Sequence, residues 1–192
     1  MKVLVACEKS HIVAGAFRAK GHDAYSCDIL PCEIDTPYHI QDDVLKHLND
    51  GWDMMIAHPE CTYLANSGVR WLIGNQERRK KMLEACRFFN VILDAPIPLI
   101  AVENPIQHKY AREFIRKPDQ IIQPWMFGEG ETKATCLWLK GLPPLMCTLV
   151  HPGRIQRVHL EPPGPERQAN RSRTFTGIAN AMANQWGQLV LK

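Results

Sequence analysis

Short apolar runs alternate along the chain with longer stretches whose apolar residues have helical spacing. Residues 2–7 (KVLVAC) predict a strand, and residues 12–20 predict a helix that stops at Gly21. A second strand is predicted over residues 22–27, a third short element ends at Asp42 and Asp43, and the apolar run 53–57 (DMMIA) predicts a further strand. The first part of the chain therefore predicts strands separated by helical or turn segments.

The same alternation continues to the end of the chain. A helix is predicted over residues 76–94 with Asn75 as its N-cap, because apolar residues recur three and four apart at Met82, Ala85, Phe89 and Ile92. Residues 99–102 predict a fifth buried strand, residues 108–116 another helix, and the stretch after Pro118, with its alternating residues 134–140, a hairpin. A last helix is predicted from Thr176, with one face formed by Ile178, Met182, Trp186 and Leu189.

Strands that alternate with helices predict an α/β fold, with a mostly parallel sheet and helices on both of its faces. Such sheets bind their ligands at the carboxyl ends of the strands. Polar groups follow four of the predicted strands, at residues 8–10, Asp28, residues 58–61, and Glu103 with Asn104. We expect these groups to meet in one crevice.

The composition is that of an ordinary soluble globular protein, with 45% hydrophobic and 22% charged residues in a chain of 192. This length predicts a single domain over residues 1–192. The sequence shows neither a secretory signal nor a run of roughly 18 apolar residues, so a cytoplasmic protein without membrane contact is expected. The seven cysteines are odd in number and irregularly spaced, which favours reduced thiols.

The net charge of +3 comes from one segment, residues 151–173, which holds five arginines and two glutamates. We call it the arginine segment. The rest of the chain is balanced in charge, so no broad basic face is predicted. Four prolines in the arginine segment predict an extended linker or arm rather than a packed element.

Two residues at predicted strand ends have a chemical and a structural interpretation. Asp28 stands 21 positions after the predicted first strand, close to the roughly 20-residue offset of an acid that binds a nucleoside ribose; it could equally cap a turn. Cys61 could be a nucleophile or a small buried apolar residue. The first loop, residues 8–11, has no glycine, which favours a nucleoside cofactor without phosphates over one with a pyrophosphate.

Several segments together resemble the DNA cytosine-5 methyltransferases, above all their small phage and prophage members. They are VLVACEKS, HDAYSCDILPC, HIQDDVL, AHPECTYLANSGVRWL, IAVENP, QPWMFGEGETKATCLWLKGLPPL and RSRTFTGIANAMANQW. The resemblance to the small members covers nearly the whole chain, whereas the larger enzymes share only short motifs. It implies a Rossmann-like methyltransferase sheet without a separate target-recognition domain.

The resemblance also implies S-adenosylmethionine as the cofactor and DNA as the substrate. Cys61 would attack carbon 6 of cytosine, and Glu103 would hydrogen-bond or protonate ring nitrogen 3. We expect burial to raise the pKa of Glu103, which would suit that role. The residues implied for the cofactor are Glu8, Ser10, Asp28, Asp43, His58 and Asn180; those implied for the substrate are Asn66, Asn104, Arg171 and Arg173.

The sequence departs from the larger enzymes in the glycine-free first loop and in Glu60, which stands where they have a proline before the cysteine. A negative charge beside Cys61 would disfavour the thiolate. The length also leaves no room for a target-recognition domain. The arginine segment, residues 78–81, Trp71 and Trp125 then remain to bind DNA, which predicts a single-stranded or weakly sequence-specific substrate.

Three alternatives remain open at the level of sequence. The same chemistry could act on a free cytidine nucleotide, or the chain could be a catalytically inactive relative that binds nucleic acid or cofactor. A zinc site would need Cys136, Cys147, His151 and His159, which are suitable ligands but lack the spacing of a tight knuckle, so we expect no metal.

Overall fold

The fold is a seven-stranded sheet in the computed structural model, which describes residues 1–164 and 167–189, apart from the side chain of Gln168. The strand order is β3-β2-β1-β4-β5-β7-β6. The strands are β1 (Lys2–Ala6), β2 (Asp23–Asp28), β3 (His39–Gln41), β4 (Met54–Ala57), β5 (Leu99–Pro105), β6 (Gln120–Ile122) and β7 (Thr135–Lys140).

The sheet is mostly parallel, as predicted, but it includes antiparallel pairs. The neighbours among β1 to β5 pair in parallel, whereas β7 lies between β5 and β6 and is antiparallel to both. The hairpin predicted after Pro118 corresponds to the antiparallel pair β6 and β7. The predicted strand 99–102 is longer than expected, because β7 pairs with β5 as far as Pro105 and so places Glu103 inside the strand.

Helices cover both faces of the sheet. One face packs on α1 (Ile12–Arg18), and the opposite face packs on α2 (Gln76–Leu93). Alternate residues of β1 point to opposite faces of the sheet: Val3 and Val5 pack in the core on the side of α1, whereas Leu4 and Ala6 pack in the core on the side of α2. The predicted alternation of buried strands with amphipathic helices therefore corresponds to two apolar cores, one on each side of the sheet.

The remaining helices lie in the last quarter of the chain, and they are α3 (Arg157–Leu160), α4 (Arg167–Ser172) and α5 (Thr176–Trp186). The predicted N-cap of α2 is confirmed, since the Asn75 side chain accepts a hydrogen bond from the Arg78 backbone N–H at 2.9 Å. The helix α5 begins at the predicted residue, but Leu189 lies beyond its end and packs on the core from there. Within the described ranges, no helix has the length and apolarity that crossing a membrane requires.

The helix predicted over residues 108–116 is wrong. Only a single 3-10 turn forms there, over Ala111–Glu113. His108 explains the difference, because its Nδ1 accepts from the Ala111 N–H at 3.0 Å while its Nε2 donates to the Tyr63 carbonyl at 2.9 Å. The imidazole thus binds the backbone of another loop and shortens the local structure to one turn.

The prediction of an extended arm over residues 151–173 is also wrong in part. The short helix α3 forms between Pro152 and Pro162, and α4 forms after the last proline of the segment. The preceding residues pack on the loop before β7: the Ile155 N–H donates to the Gly130 carbonyl at 2.8 Å, and the Thr132 N–H donates to the Ile155 carbonyl at 2.9 Å. Backbone hydrogen bonding therefore attaches this segment to the body of the molecule.

Candidate active site

The loops that follow the parallel strands meet at the carboxyl edge of the sheet. The Glu8 N–H, after β1, donates to the carbonyl of Cys27 in β2 at 3.1 Å, and the His58 N–H, after β4, donates to the Ala6 carbonyl at 2.9 Å. Asp28 is the last residue of β2, and Glu103 lies near the end of β5. The structure therefore brings the four predicted polar groups to neighbouring positions along one edge.

Glu103 and His58 form a mostly buried pair. The Glu103 Oε2 lies 3.0 Å from the His58 Nδ1, and the two side chains are 13% and 11% exposed. Burial acts to raise the pKa of Glu103, but the hydrogen bond from His58 and the positive charge of Lys133 outweigh it, so the pKa lies below the usual value. The expected rise in this pKa is therefore wrong, because the carboxylate has partners that stabilise its charged form.

Cys61 lies in the loop after β4, half-buried beside this pair. Its backbone carbonyl accepts hydrogen bonds from the N–H groups of Leu64 at 3.0 Å and Ala65 at 2.8 Å, which fixes the turn that presents the side chain. Burial and the charge of Glu103 raise the pKa of the Cys61 thiol, and the ammonium of Lys133 lowers it in part. The side chain therefore rests as a thiol at neutral pH.

Glu60 does not obstruct this cysteine. Its side chain is exposed, and its Oε1 accepts a hydrogen bond from the Thr62 hydroxyl at 2.6 Å. Of the effects on the pKa of Cys61, that of Glu60 is the smallest resolved. The acid that follows Pro59 therefore lies against its own loop and is screened by solvent.

Lys133 also belongs to the site, although no pattern in the sequence indicated this residue. Its charge acts on both Cys61 and Glu103, and its ammonium lies 5.8 Å from the centre of the Phe175 ring. The residue lies just before β7, whose Thr135 is in register with Pro105 of β5. The position of Lys133 follows from the antiparallel pairing of β7 with β5. The sequence predicted a hairpin after Pro118 but not that one of its strands pairs with β5.

The loop that carries Cys61 is joined to the end of β5 by hydrogen bonds. Asn104 is 1% exposed, and its Nδ2 donates to the Pro59 carbonyl at 2.8 Å. The Asn66 N–H donates to the Ile106 carbonyl at 2.9 Å, while the Asn66 side chain is exposed. Asn104 therefore attaches the loop to β5, whereas the Asn66 side chain lies at the surface; the predicted contacts of both residues with substrate stay predictions.

Glu8 and Ser10, predicted to bind the cofactor, contact the start of α1, and their role toward a cofactor stays a prediction. The buried Glu8 carboxylate accepts from the N–H groups of Val13 at 2.7 Å and Ala14 at 3.1 Å, and from the Ser10 hydroxyl at 3.3 Å. These contacts occupy the first amides of α1, which in dinucleotide-binding folds receive a pyrophosphate. The first loop thus supplies its own anion to the helix, which excludes a phosphate at the same amides.

Asp28 and Asp43 lie near each other at the ends of β2 and β3. Both carboxylates lie close enough to Cys7 to act on its thiol. Burial is the main cause that raises the pKa of Cys7 to about 12, and the negative charges of Asp28 and Asp43 raise it further. Asp28 also accepts from the Leu30 N–H at 2.9 Å, which confirms the turn-capping interpretation, while ribose binding by Asp28 stays a prediction. Asn180 is exposed on α5 and, in the described part of the chain, is not hydrogen-bonded to either carboxylate.

Arg173 is engaged within the molecule. Its Nη2 lies 2.6 Å from the Glu33 Oε2, and the other oxygen of Glu33 lies 3.3 Å from the Lys9 ammonium. This three-residue ion pair joins the end of α4 to the loop after β2. A substrate phosphate would have to compete with Glu33 for Arg173, so the predicted contact stays a prediction, whereas Arg171 lies half-buried within α4, two residues before Arg173.

The alternative zinc site does not form. Cys136 is 2% exposed within β7, whereas Cys147 is exposed and its thiol donates to the Met126 carbonyl at 2.9 Å. His151 Nδ1 accepts instead from the Gly153 N–H at 3.0 Å. Among residues 1–164 and 167–189, no three metal-ligating side chains lie close enough together to hold an ion.

Comparison with known proteins adds a structural neighbour. No protein-family model matches the sequence, and no curated protein matches it. The fold is similar to that of a candidate DNA modification methyltransferase encoded within a prophage of E. coli, with a TM-score of 0.50 and 17% sequence identity. The match covers 84% of this chain and 55% of the other, so the chain spans about half the length of that protein.

Proposed function

We propose that this protein is an S-adenosylmethionine-dependent enzyme that methylates carbon 5 of cytosine in DNA. The observation that supports it most strongly is the meeting of Cys61 and Glu103 at the carboxyl edge of the sheet, close enough for the carboxylate to raise the pKa of the thiol. A sulfur nucleophile and a carboxylate within one site are the two groups that addition to a pyrimidine ring requires.

The residues near the end of β2 suit a nucleoside cofactor without phosphates. The amides of α1 are already bound by Glu8, while Asp28 and Asp43 offer carboxylates to hydroxyl and amino groups. S-adenosylmethionine fits these groups, because it carries a ribose, an adenine and a positively charged tail. When bound, it supplies the methyl group.

Cys61 acts on carbon 6 of the target ring. Its thiol gives its proton to water, and the thiolate sulfur forms a bond to carbon 6 as the double bond between carbons 5 and 6 opens, which makes carbon 5 nucleophilic enough to accept the methyl group. Water then takes the proton from carbon 5, and the electron pair of that C–H bond restores the double bond as the sulfur leaves. Cys61 is regenerated as the thiolate and is ready for another cycle.

Glu103 holds the opposite side of the ring. As a carboxylate, it accepts a hydrogen bond from the exocyclic amino group, and it shares a proton with ring nitrogen 3 when sulfur addition raises the negative charge there. The proton comes from solvent through the Glu103 carboxyl group and returns to solvent when the adduct collapses, while His58 Nδ1, 3.0 Å from the carboxylate, donates a hydrogen bond that orients it. His58, predicted as a cofactor residue, therefore becomes a positioning residue that acts through Glu103.

The proposal is tested by incubating the protein with S-adenosylmethionine and cytosine-containing DNA and measuring 5-methylcytosine by mass spectrometry. We expect Cys61→Ala to reduce product formation by a factor of about 1,000 or more, because no other group replaces a covalent nucleophile. Cys147→Ala is the matched control, since this exposed thiol lies outside the site, and it should retain full activity.

Two outcomes of that assay would replace the proposal. Methylation of deoxycytidine monophosphate in preference to oligonucleotides would identify a nucleotide-modifying enzyme. Binding of S-adenosylmethionine by calorimetry, without product and without a covalent adduct on 5-fluorocytosine DNA, would identify an inactive relative. The raised pKa of Cys61 is the observation that favours this second candidate.

A further inference from the structure

An open cavity of about 520 Å³ lies beside the loop that carries Cys61. One wall is the loop with its 3-10 segment Asn66–Leu72, and the other wall is the first turns of α2. The lining residues are two aromatic, two basic and two others, namely Tyr63, Trp71, Arg78, Lys81, Asn75 and Glu77.

The aromatic side chains of the cavity are accessible and are paired with cations. Trp71 is 57% exposed, and the Arg70 guanidinium lies 4.6 Å from the centre of its ring. The Arg78 guanidinium lies 5.1 Å from the centre of the Tyr63 ring. Aromatic surfaces on which bases stack, interleaved with cations that contact phosphates, are typical of proteins that bind single-stranded nucleic acid.

The cations at the start of α2 are placed unfavourably for the dipole of that helix. Residues 78–81 are four consecutive cations in its first turns, where they oppose the positive end of the helix dipole. Glu77 is the one acid of the first turn, and it lies 3.9 Å from the Lys81 ammonium. Cations that weaken a helix and border an open cavity indicate a negatively charged ligand.

The cavity adjoins the loop that carries Cys61. Arg78 Nη2 donates to the Thr62 carbonyl at 2.9 Å, next to Cys61 in sequence. A Cβ atom at Gly68 would lie 3.0 Å from Arg78 Nη2 and 3.1 Å from the Thr62 carbonyl oxygen, so the absence of a side chain lets the loop close around the guanidinium. Arg78 therefore positions the loop and contributes charge to the cavity.

We propose that this cavity binds the nucleotide adjacent to the target cytosine in single-stranded DNA, with its base stacked on Trp71 and its phosphate near Arg78 and Lys81. This inference rests on the proposed function for the identity of the neighbouring base. It assigns the contact with DNA to the first turns of α2 and the preceding loop, a surface that belongs to the body of the fold.

Tryptophan fluorescence tests the stacking directly. Of the five tryptophans, Trp52, Trp138 and Trp186 are buried and Trp125 is half-buried under Arg154, so a stacked base should quench mainly Trp71. Titration with an oligothymidine, which has no cytosine, should quench the wild type and Trp125→Phe but not Trp71→Phe. Trp71→Ala should weaken binding about tenfold, as expected for one lost base stack. Equal quenching in Trp71→Phe would overturn the proposal.

Charge removal tests the phosphate contact. Lys81→Gln should weaken oligothymidine binding about threefold and reduce the slope of log affinity against log salt by about 0.7, the value for one phosphate on a single strand. Arg87→Gln is the matched control, because Arg87 is exposed on the same helix and outside the cavity. An identical salt slope in Lys81→Gln and the wild type would contradict the contact.

The two proposals fail in distinguishable ways. If the wild type forms no 5-methylcytosine but Trp71→Ala loses affinity for oligothymidine, the result supports nucleotide binding in the cavity and contradicts the methylation of cytosine. If the wild type methylates DNA and Trp71→Ala binds and methylates DNA as well as the wild type does, the result supports the methylation of cytosine and contradicts nucleotide binding in the cavity.

Discussion

Glu103 and Lys133 act in opposite directions on the sulfur of Cys61. The carboxylate raises the pKa of the thiol and the ammonium lowers it, while burial adds to the effect of the carboxylate. The same lysine helps to keep the pKa of Glu103 low. The reactivity of Cys61 is therefore set by the balance of these two charges, and substituting either residue should shift it in a known direction.

The first prediction concerns the alkylation of Cys61 by iodoacetamide, followed at this site by mass spectrometry. Because only the thiolate reacts, the rate should rise as the pH rises through the raised pKa of the thiol. Glu103→Gln should accelerate alkylation at neutral pH about threefold to tenfold, since it removes a negative charge and lowers the pKa. Lys133→Met should slow it by a similar factor.

Cys147 provides the internal control for this experiment, because it is exposed and remote from both charges. Its rate should be the same in all three proteins. If Cys61 reacted at one rate in the wild type, Glu103→Gln and Lys133→Met, the charges would not act on the sulfur and the arrangement described for the site would be wrong. Glu103→Gln should also abolish methylation despite its faster alkylation.

Hydrogen bonds between the loop after β4 and the end of β5 make these two elements one unit. Asn104 donates to Pro59, and His108 donates to Tyr63, on either side of Cys61. The bridge between Ala65 and Gln107 extends the same pairing. The distance between the cysteine and the carboxylate is therefore fixed by hydrogen bonds between the two elements rather than by a contact between the Cys61 and Glu103 side chains.

The second prediction tests this coupling with Asn104→Ala. Removing the buried amide leaves the Pro59 carbonyl without its donor, which should lower the free energy of unfolding by about 1–3 kcal/mol in urea titrations. The methylation kcat should fall as well, because the Cys61 loop is no longer attached to β5. Asn49→Ala, at an exposed turn, is the control and should change stability by less than about 0.5 kcal/mol. An unchanged kcat in Asn104→Ala would separate the loop contact from catalysis.

The helices show why some elements can be predicted and others cannot. Both α1 and α2 have apolar residues at helical spacing along one face, so their sequences predict them within two residues of their observed ends. Residues 108–116 have a similar local pattern, but the His108 imidazole binds the Tyr63 carbonyl and forms a single turn instead. A contact with a residue 45 positions away is invisible to a local pattern.

The net charge has a different meaning in the folded molecule. The sequence places the whole excess in residues 151–173, yet Arg157 pairs with Glu131 and Arg173 pairs with Glu33, both outside that segment. Two of the five arginines are therefore compensated by the rest of the chain. The cations at residues 78–81 of α2 are then better placed than the arginine segment to contact a phosphate near Cys61, because they lie beside the Cys61 loop.

The third prediction uses the pair of Arg173 and Glu33, which connects two distant parts of the chain. Arg173→Glu should speed hydrogen exchange of the α4 amides about threefold, since a partly exposed ion pair contributes about 0–1 kcal/mol. The double variant Glu33→Arg with Arg173→Glu should bring the rate part of the way back to that of the wild type, because it re-forms the pair with the charges exchanged while the Lys9 ammonium opposes the new cation at position 33. Equal exchange in the single variant and the wild type would show that the pair does not hold α4. Salt at about 1 M should reduce the difference by screening.

The sequence by itself determined the class of fold and placed Cys61, Glu103 and Asp28 near the carboxyl ends of strands, because side-chain alternation and helical spacing are local properties; that β5 continues past Glu103 depends on its pairing with β7. The tertiary structure decided which of these residues interact. The antiparallel pairing of β7 with β5 brought Lys133 to the site. The amides of α1 donate hydrogen bonds to Glu8, and Glu33 forms an ion pair with Arg173. Charge and hydrogen bonding act between groups that are close in space, and only the pairing of distant strands and loops determines which groups those are.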